Sequence, residues 1–485
     1  MTALPPQAAE RRSDLPPGRP AHDWVEALAT SAAATDTDRV PAVVLERLRL
    51  VVIDCLVVGA FGSRRPELRR LAQVVGAHSP LGSSTVLGLG VGRSSGVAAF
   101  LNAAAMSADQ LQDGHRLARG HPASHIVPAI FALAEESGAS NRSALSAVLA
   151  GYEVGTTVGM AMNGTAAGTH DIGTWGEIAV AAAVAHLLMP GDPDTVRRAI
   201  ELAASAVLIT DASTIFSGRT GGHAYLGAST TTGMLLGQAA AAGLEARDGA
   251  VDRHFAKIAA AHWSPVPPSG EGAAAGSTCA LRSGYIKLHP TCAHLHGVND
   301  AVDDILVDLL ARETASTSRG NRIHHVVVET YAEAAQFDSV ADSELEARFS
   351  IPTVVAIALL DGALEATRLT DEHVRSTSVT DLARRVRVVH RRDLDAGYPA
   401  GRPARVTVQL NDGSLLHGSS TRPRGDADHP DSNRPIEDKA AHLLRARFGS
   451  RADEVIDALS GWPGDLSPGE LGAAFRRVAD QAGGR

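Results

Sequence analysis

Several runs of this chain are apolar around nearly their whole circumference, which leaves them few places to go. "SALSAVLAGYEVGTTVGMAM" (Ser143 to Met162) and "EIAVAAAVAHLL" (Glu177 to Leu188) have helical length and carry apolar residues on most faces. A helix without a polar face has to be buried among other helices. Alanine dominates these runs, and small side chains let helix backbones come close. The stretch "VPAVVLERLRLVVIDCLVVGAFG" (Val40 to Gly62) reads the same way. Helical patterns of this kind fill most of the chain from Asp23 to His262, so the central helices of a bundle are expected there. Glycines near their ends suit turns and caps.

The pattern breaks at "SPVPPSGEGAAAGSTC" (Ser264 to Cys279), a Pro-, Gly- and Ser-rich run that reads as a boundary. Beyond it come short β-branched runs: "HHVVVETY" (His324 to Tyr331), "RRVRVVH" (Arg384 to His390) and "ARVTVQL" (Ala404 to Leu410). "QLNDGSLLHG" sets Asn-Asp-Gly between apolar flanks and predicts a hairpin. Helices are expected from His296 to Arg312 and in "IPTVVAIALLDGAL", and a polar loop from Arg422 to Pro435. The chain therefore reads as mainly α. It has a disordered tail over 1–22, a large all-helical domain over 23–268, a smaller α+β domain over 269–423, and C-terminal helices over 424–485 returning to the helical domain. With 485 residues there is ample chain for two domains with a large core.

Composition excludes some partners. The net charge is -9 and no basic stripe with interleaved aromatics occurs, so no nucleic acid is expected. A 44% hydrophobic and 20% charged chain without a long uninterrupted apolar run reads as soluble, with no membrane partner. Three cysteines (Cys55, Cys279 and Cys292) without a CxxC pair suit a reducing compartment, and the Pro- and Arg-rich start lacks a secretory apolar run. The expected location is the cytoplasm.

Four segments concentrate polar residues in apolar surroundings: "ADQLQDGHRLARGHPASHIVPAIFALAEE" (Ala108 to Glu136), "GTHDIGTWGE" (Gly168 to Glu177), "SGRTGGHAYLGAS" (Ser217 to Ser229) and "GYIKLHPTCAHLHG" (Gly284 to Gly297). They hold His115, His121, His125, His170, His223, His289, His294 and His296, eight of the twenty histidines. A metal site lacks HExxH, paired CxxC or a clear carboxylate–histidine set, so no metal is expected. GxSxG is absent, and "GLGVGRSSG" (Gly88 to Gly96) lacks the P-loop lysine. General acid–base work fits better, because histidine titrates near neutrality and shifts readily in an apolar cleft. Arg219 and Lys287 are suited to holding carboxylates. Such a set suits proton abstraction beside a carboxylate. Structural duties compete with that reading: Asp171 as a helix cap, Asp113 and Gly114 as a turn, Tyr225 and Cys292 as packing, His324 and His325 as strand flanks.

At these segments the chain resembles the MmgE/PrpD family, which includes 2-methylcitrate dehydratase, cis-aconitate decarboxylase and iminodisuccinate epimerase. "QDGHRLARGHPASHIVPAIFALAEE" is similar to its acidic cluster, "HP" pair and following helix, and "GYIKLHPTCAHLHGVNDAV" to its lysine–histidine motif. "EARFSIPTVVAIAL" and "VTVQLNDGSLLHGSSTRPRGDADHP" continue the likeness in the family's order. The resemblance implies a helical domain with an α+β lid, a homodimer, and cofactor-free lyase or isomerase chemistry on a polycarboxylate. It implies that the catalytic residues are Asp113, His121, His170, Lys287 and His296. Asp109, His115, Arg219, His223, Tyr225 and Cys292 are the expected substrate-binding residues. The chain departs from the family pattern at Gln110, where the first acid is expected and Asp109 lies one place off. It departs also at Gly222, where a basic residue usually stands, at His289, which replaces an aromatic, and at Cys292. Those departures keep open a cyclase or epimerase acting on a less charged intermediate, and a non-catalytic binding relic.

Overall fold

The computed structural model describes residues 21–267, 280–311, 319–429, 434–464 and 466–480. The expected tail falls outside these residues up to position 20, and the Pro- and Gly-rich boundary run does so from position 268 onward, Cys279 included.

The apolar runs are buried helices, as their composition requires. Asn141–Met162 and Trp175–Leu188 lie against each other. Small residues set the closeness of that pair: a Cβ at Gly151 would sit 2.6 Å from the Ala179 carbonyl oxygen, and one at Gly155 2.5 Å from the Ala179 Cβ. One large apolar core joins Ala42–Gly62, Ser95–Ser107, Pro122–Ser137 and Asn141–Met162. The C-terminal helices Arg434–Phe448, Ala452–Gly461 and Pro468–Asp480 supply Ile436, Leu444, Phe448, Leu471 and Phe475 to that same core.

The N-terminal part is not all-helical. Strands β1 (Leu81–Val86) and β2 (Val91–Arg93) form an antiparallel pair within it. The Gly-rich run weighed as a nucleotide loop is the turn of that pair, with Gly88 and Gly90 at φ +74° and +61°. Strand β1 is held to the helix Pro122–Ser137 by Ser84 Oγ donating to the Ala132 carbonyl (2.7 Å) and the Thr85 amide donating to Glu135 (2.7 Å). Periodicity misses such strands because they are short and half exposed.

Two further strands matter for position. β3 (Gly114–His115) pairs antiparallel with β4 (Gly284–Tyr285), tying the first His-rich segment to the segment that carries Lys287. In the C-terminal part β5 (Ile323–Thr330), β6 (Val386–His390), β7 (Ala404–Leu410) and β8 (Leu415–Ser420) form one sheet in the order β6-β5-β7-β8. β5 and β6 run parallel and the other neighbours antiparallel. The Asn-Asp-Gly turn joins β7 to β8, with Gly413 at φ +86°. Alternate residues of β5 and β7 enter a second core with the helices His296–Ala311 and Ile351–Asp361. The molecule is thus mainly α with a sheet-containing C-terminal part. No described helix is long and apolar enough to cross a membrane.

Candidate active site

A cavity of about 320 Å³ lies where the first, second and fourth His-rich segments meet. His121 and Arg119 come from the first, His170, Asp171 and Trp175 from the second, Lys287, Cys292 and His294 from the fourth. Phe349, Tyr398 and Arg402 close it from the C-terminal part. His121 immediately precedes the helix Pro122–Ser137 and Trp175 opens the helix Trp175–Leu188, so two long helices present their N-terminal ends here. Helix N-termini favour bound anions.

His121 has a defined tautomer. Its Nδ1 lies 2.6 Å from the Asp113 carbonyl oxygen, which can only accept, so Nδ1 carries the proton and Nε2 is a bare lone pair. Burial pushes the imidazole down to about 3, with Asp171 opposing and Lys287 assisting, so it is a neutral base at pH 7. His170 is set differently. Its Nδ1 is 3.2 Å from the Ile172 amide and 3.0 Å from Asp171 Oδ1, so the neutral ring accepts from the amide and the charged ring pairs with the carboxylate. Burial lowers its pKa, against the pull of Asp171. Asp171 itself is held below the usual carboxylate range: burial raises it, but His170, His121 and His125 outweigh that.

Two cations are buried in the wall without an ion-pair partner among the described residues. Lys287 is fully buried and donates to Gln110 Oε1 at 3.1 Å. Burial lowers it to about 8, so it is still charged at neutral pH. Arg402 is 5% exposed and lies over the Tyr285 ring, 4.6 Å from its centre. Among the described residues neither side chain forms an ion pair, Asp426 acts on Arg402 from longer range, and Arg402 Nε has no hydrogen-bond partner. Arg119, at the same cavity, adds a third positive group, and Asp171 is the one acid among the described residues of its lining.

Backbone strain converges on the same place. Gln110, Arg119 and Asn163 are the three non-glycine residues with positive φ among the described residues (52°, 54° and 46°), and all three line this cavity. Left-handed backbone costs a non-glycine residue on the order of 1–2 kcal/mol, and such residues cluster at functional sites.

The other expected site residues lie elsewhere. Asp113 is behind the cavity, its two carboxylate oxygens accepting from the Ala123 and Ser124 amides at 2.9 Å each, so it caps the helix that follows His121. Burial raises it to about 6. Asp109 is locked by Arg64, Arg65 and Arg348. His115 accepts the Ala118 amide at Nδ1 and reaches the Ala280 carbonyl with Nε2. His296 opens the helix His296–Ala311, edge-on to His289 at 5.4 Å and beside a small void with Tyr285 and Asp426. Arg219 and His223 line a separate small cavity, which shares Gln110, Ile172, Ile215 and Phe349 with the main one. Tyr225 packs against the second core. Cys292 and His170 do reach the main cavity, with His121 and Lys287.

Arg402, Tyr398, His294 and Asp171 complete the lining without having been assigned to it. Arg402 and Tyr398 sit in "GYPAGRPAR", whose Gly and Pro mark a loop but carry no chemical spacing. His294 had a signal, the alternation of Cys292, His294 and His296. His289, Asp300 and Asp303 bring three possible ligand atoms within 4.8 Å of one another. Arg424 donates to both carboxylates (3.1 and 2.6 Å), so the group is an ion-pair knot.

Residues 26–261 match the model of the MmgE/PrpD N-terminal domain, and residues 289–461 that of the MmgE/PrpD C-terminal domain. The chain is 28% identical over 445 residues to a cis-aconitate decarboxylase of Aspergillus terreus, covering 86% of this chain and 88% of that protein. It is 25% identical over 453 residues to the cis-aconitate decarboxylase-like protein oryM of Aspergillus oryzae, with the same coverage.

Proposed function

This chain belongs to the MmgE/PrpD family, and from that premise we propose that it is a cofactor-free lyase that releases CO2 from a small unsaturated polycarboxylate of the cis-aconitate kind. The carrying observation is the pair of buried cations beside His121 and His170: among the described residues neither Lys287 nor Arg402 forms an ion pair, and Asp171 and Asp426 reach them only at longer range. Burying a charge unpaired is costly, and a substrate with two or three carboxylates supplies what is missing. A carboxylate held by Lys287 also takes up the negative charge that develops on the adjacent carbon as the bond to CO2 breaks. A histidine then delivers a proton to carbon. Dehydration or epimerisation would use the same site with a different first step, the bare Nε2 of His121 removing a proton α to a carboxylate.

A second reading has its own support. Ile172, Ile215, Phe216 and Phe349 give the cavity an apolar side, which suits a less charged intermediate and an epimerase or cyclase. Incubation with cis-aconitate, citrate-like acids and amino-dicarboxylates in D2O, followed by NMR, separates these. Decarboxylation predicts CO2 release and one deuterium on a product carbon. Exchange without bond loss favours the second reading. Neither turnover nor exchange with any of these acids overturns both.

A further inference from the structure

We infer that His294 is the proton donor of this site, held in its donating tautomer by Tyr331. This rests on the lyase reading above and names the residue that completes it.

His294 lines the cavity, and its Nδ1 lies 2.7 Å from the Tyr331 hydroxyl. Tyr331 is fully buried. Among the described residues its hydroxyl has no hydrogen-bond partner other than His294 Nδ1. A buried hydroxyl proton left without an acceptor is expensive, so Tyr331 donates and Nδ1 accepts. A neutral imidazole that accepts at Nδ1 carries its proton at Nε2. The ring is neutral: burial lowers it to about 3, Arg402, Lys287 and Arg119 assist, and Asp171 opposes. The ring cannot swing, because it is stacked on Phe337 (centroids 5.7 Å apart, 28° between planes) and tilted against Tyr398 at 5.6 Å. Tyr398 in turn stacks on Tyr331 at 4.9 Å.

His121 and His294 are therefore neutral rings of opposite tautomer on one cavity. A carbonyl behind His121 leaves it a lone pair at Nε2; a phenol behind His294 leaves it an N–H there. The Nε2 atoms of His125, His223 and His296 are sealed in protein without a partner, and those of His121 and His294 are not. The two rings divide acid and base without any difference in charge.

The bond between the substrate carbon and the departing carboxylate breaks, and CO2 leaves. Its electron pair becomes a new C=C bond with the neighbouring carbon. The former double-bond pair takes the Nε2 proton of His294 on the far carbon. His294 Nδ1 takes the Tyr331 hydroxyl proton; burial opposes the resulting phenolate and the Arg402 cation offsets part of that, so the phenolate is transient. A solvent proton then enters at Nε2, and Nδ1 returns its proton to Tyr331. His294 touches the substrate; Tyr331 acts through it and is a positioning residue.

The test uses the full-length enzyme with cis-aconitate in D2O. His294→Gln keeps an N–H at about the same place but cannot relay a proton. We expect kcat to fall at least about 100-fold, KM to change only a few-fold, and the residual product to carry deuterium on both faces of the new methylene. Wild-type product carries it on one face. Tyr331→Phe keeps the ring stack and should lower kcat about tenfold with a partial loss of that selectivity. Near-normal kcat with single-face deuterium in His294→Gln overturns the assignment. If wild type turns over none of the acids, the proposed function fails. The tautomer is then decided by ¹⁵N spectra of histidine-labelled protein, with His294→Gln and His121→Gln to identify the signals. Protonated Nε2 on His294 and protonated Nδ1 on His121 support the assignment; the same tautomer on both overturns it.

Discussion

Two buried clusters of acid and cation lie close to each other in this molecule, and they are opposites. At Asp109 every charge is answered. The carboxylate meets Arg64 at 2.5 Å and Arg65 and Arg348 at 3.0 Å, and Glu344 returns a carboxylate to Arg65 and Arg348. Burial alone would raise the Asp109 carboxyl, but three guanidinium groups hold it far below the usual range. At the cavity, Lys287 and Arg402 are just as buried and, among the described residues, form no ion pair; Asp171 and Asp426 act on them only from longer range. A closed set of charges holds a fold together; an open set has room for something else. Arg348 joins the two parts of the chain in the first cluster, donating also to the Asp109 and Pro290 carbonyls.

The largest effect is expected from opening the closed cluster. Asp109→Ala strands Arg65 and Arg348 in the interior and should cost about 3–5 kcal/mol of stability, read by urea unfolding at constant m-value. The activity per folded molecule should stay within a few-fold of wild type. Little loss of stability would mean that the cluster is not closed in solution. A second variant removes a charge from the open cluster. Lys287→Met should cost about 10²–10³ in kcat/KM, the scale of losing one transition-state donor, while stability holds or rises, because an unpaired buried cation has gone. A large loss of stability from Lys287→Met would put both clusters in the same class.

The distinction was not legible in the sequence, though much else was. The buried helices follow from alanine-rich runs with no polar face, and the strands of the C-terminal sheet from their β-branched alternation. His121, His170, Lys287 and Cys292, singled out by dense polar residues inside apolar flanks, reach the cavity. Asp109 and Asp113 looked equally chemical and turned out to be occupied, one by arginines and the other by helix amides. Which acids are occupied is decided by residues far away in the chain: Arg348 lies 239 positions from Asp109. Arg402 was invisible for the same reason, since a loop places it and no local spacing records the fact.

A third test sharpens the open cluster by titration. Burial lowers Lys287 from 10.5 to about 8 in the folded chain. Charged lysine is the form that holds a carboxylate, so kcat/KM should be level below about pH 8 and fall about tenfold per unit above it. Lys287→Arg keeps its charge throughout and should lose that fall while retaining part of the activity. The stability contribution runs the other way. Between about pH 8 and 10.5 the unfolded chain binds the proton that the folded chain has released, so stability from this group rises with pH across that window. An unchanged alkaline limb in Lys287→Arg would move the titration to another group.

The smallest effect belongs to Arg119, which combines strain and charge at the cavity. Its φ of +54° costs a side-chain-bearing residue on the order of 1 kcal/mol. Its guanidinium lies 5.4 Å from the centre of the Tyr398 ring, worth about 0.5–1 kcal/mol at an accessible site. Arg119→Ala removes the cation and keeps the strain; Arg119→Gly removes both. The glycine variant gains from the released strain and loses roughly 0.5–1 kcal/mol through its freer unfolded chain. It should therefore lie within about 1 kcal/mol of wild type and above the alanine variant in thermal stability. Both should raise KM for a tricarboxylate several-fold, and raise it less for a dicarboxylate, with kcat little changed. Equal stability of the two variants would mean that the left-handed backbone is relaxed in solution. An equal rise in KM for both acids would mean that Arg119 does not meet the third carboxylate, and the open set would reduce to Lys287 and Arg402.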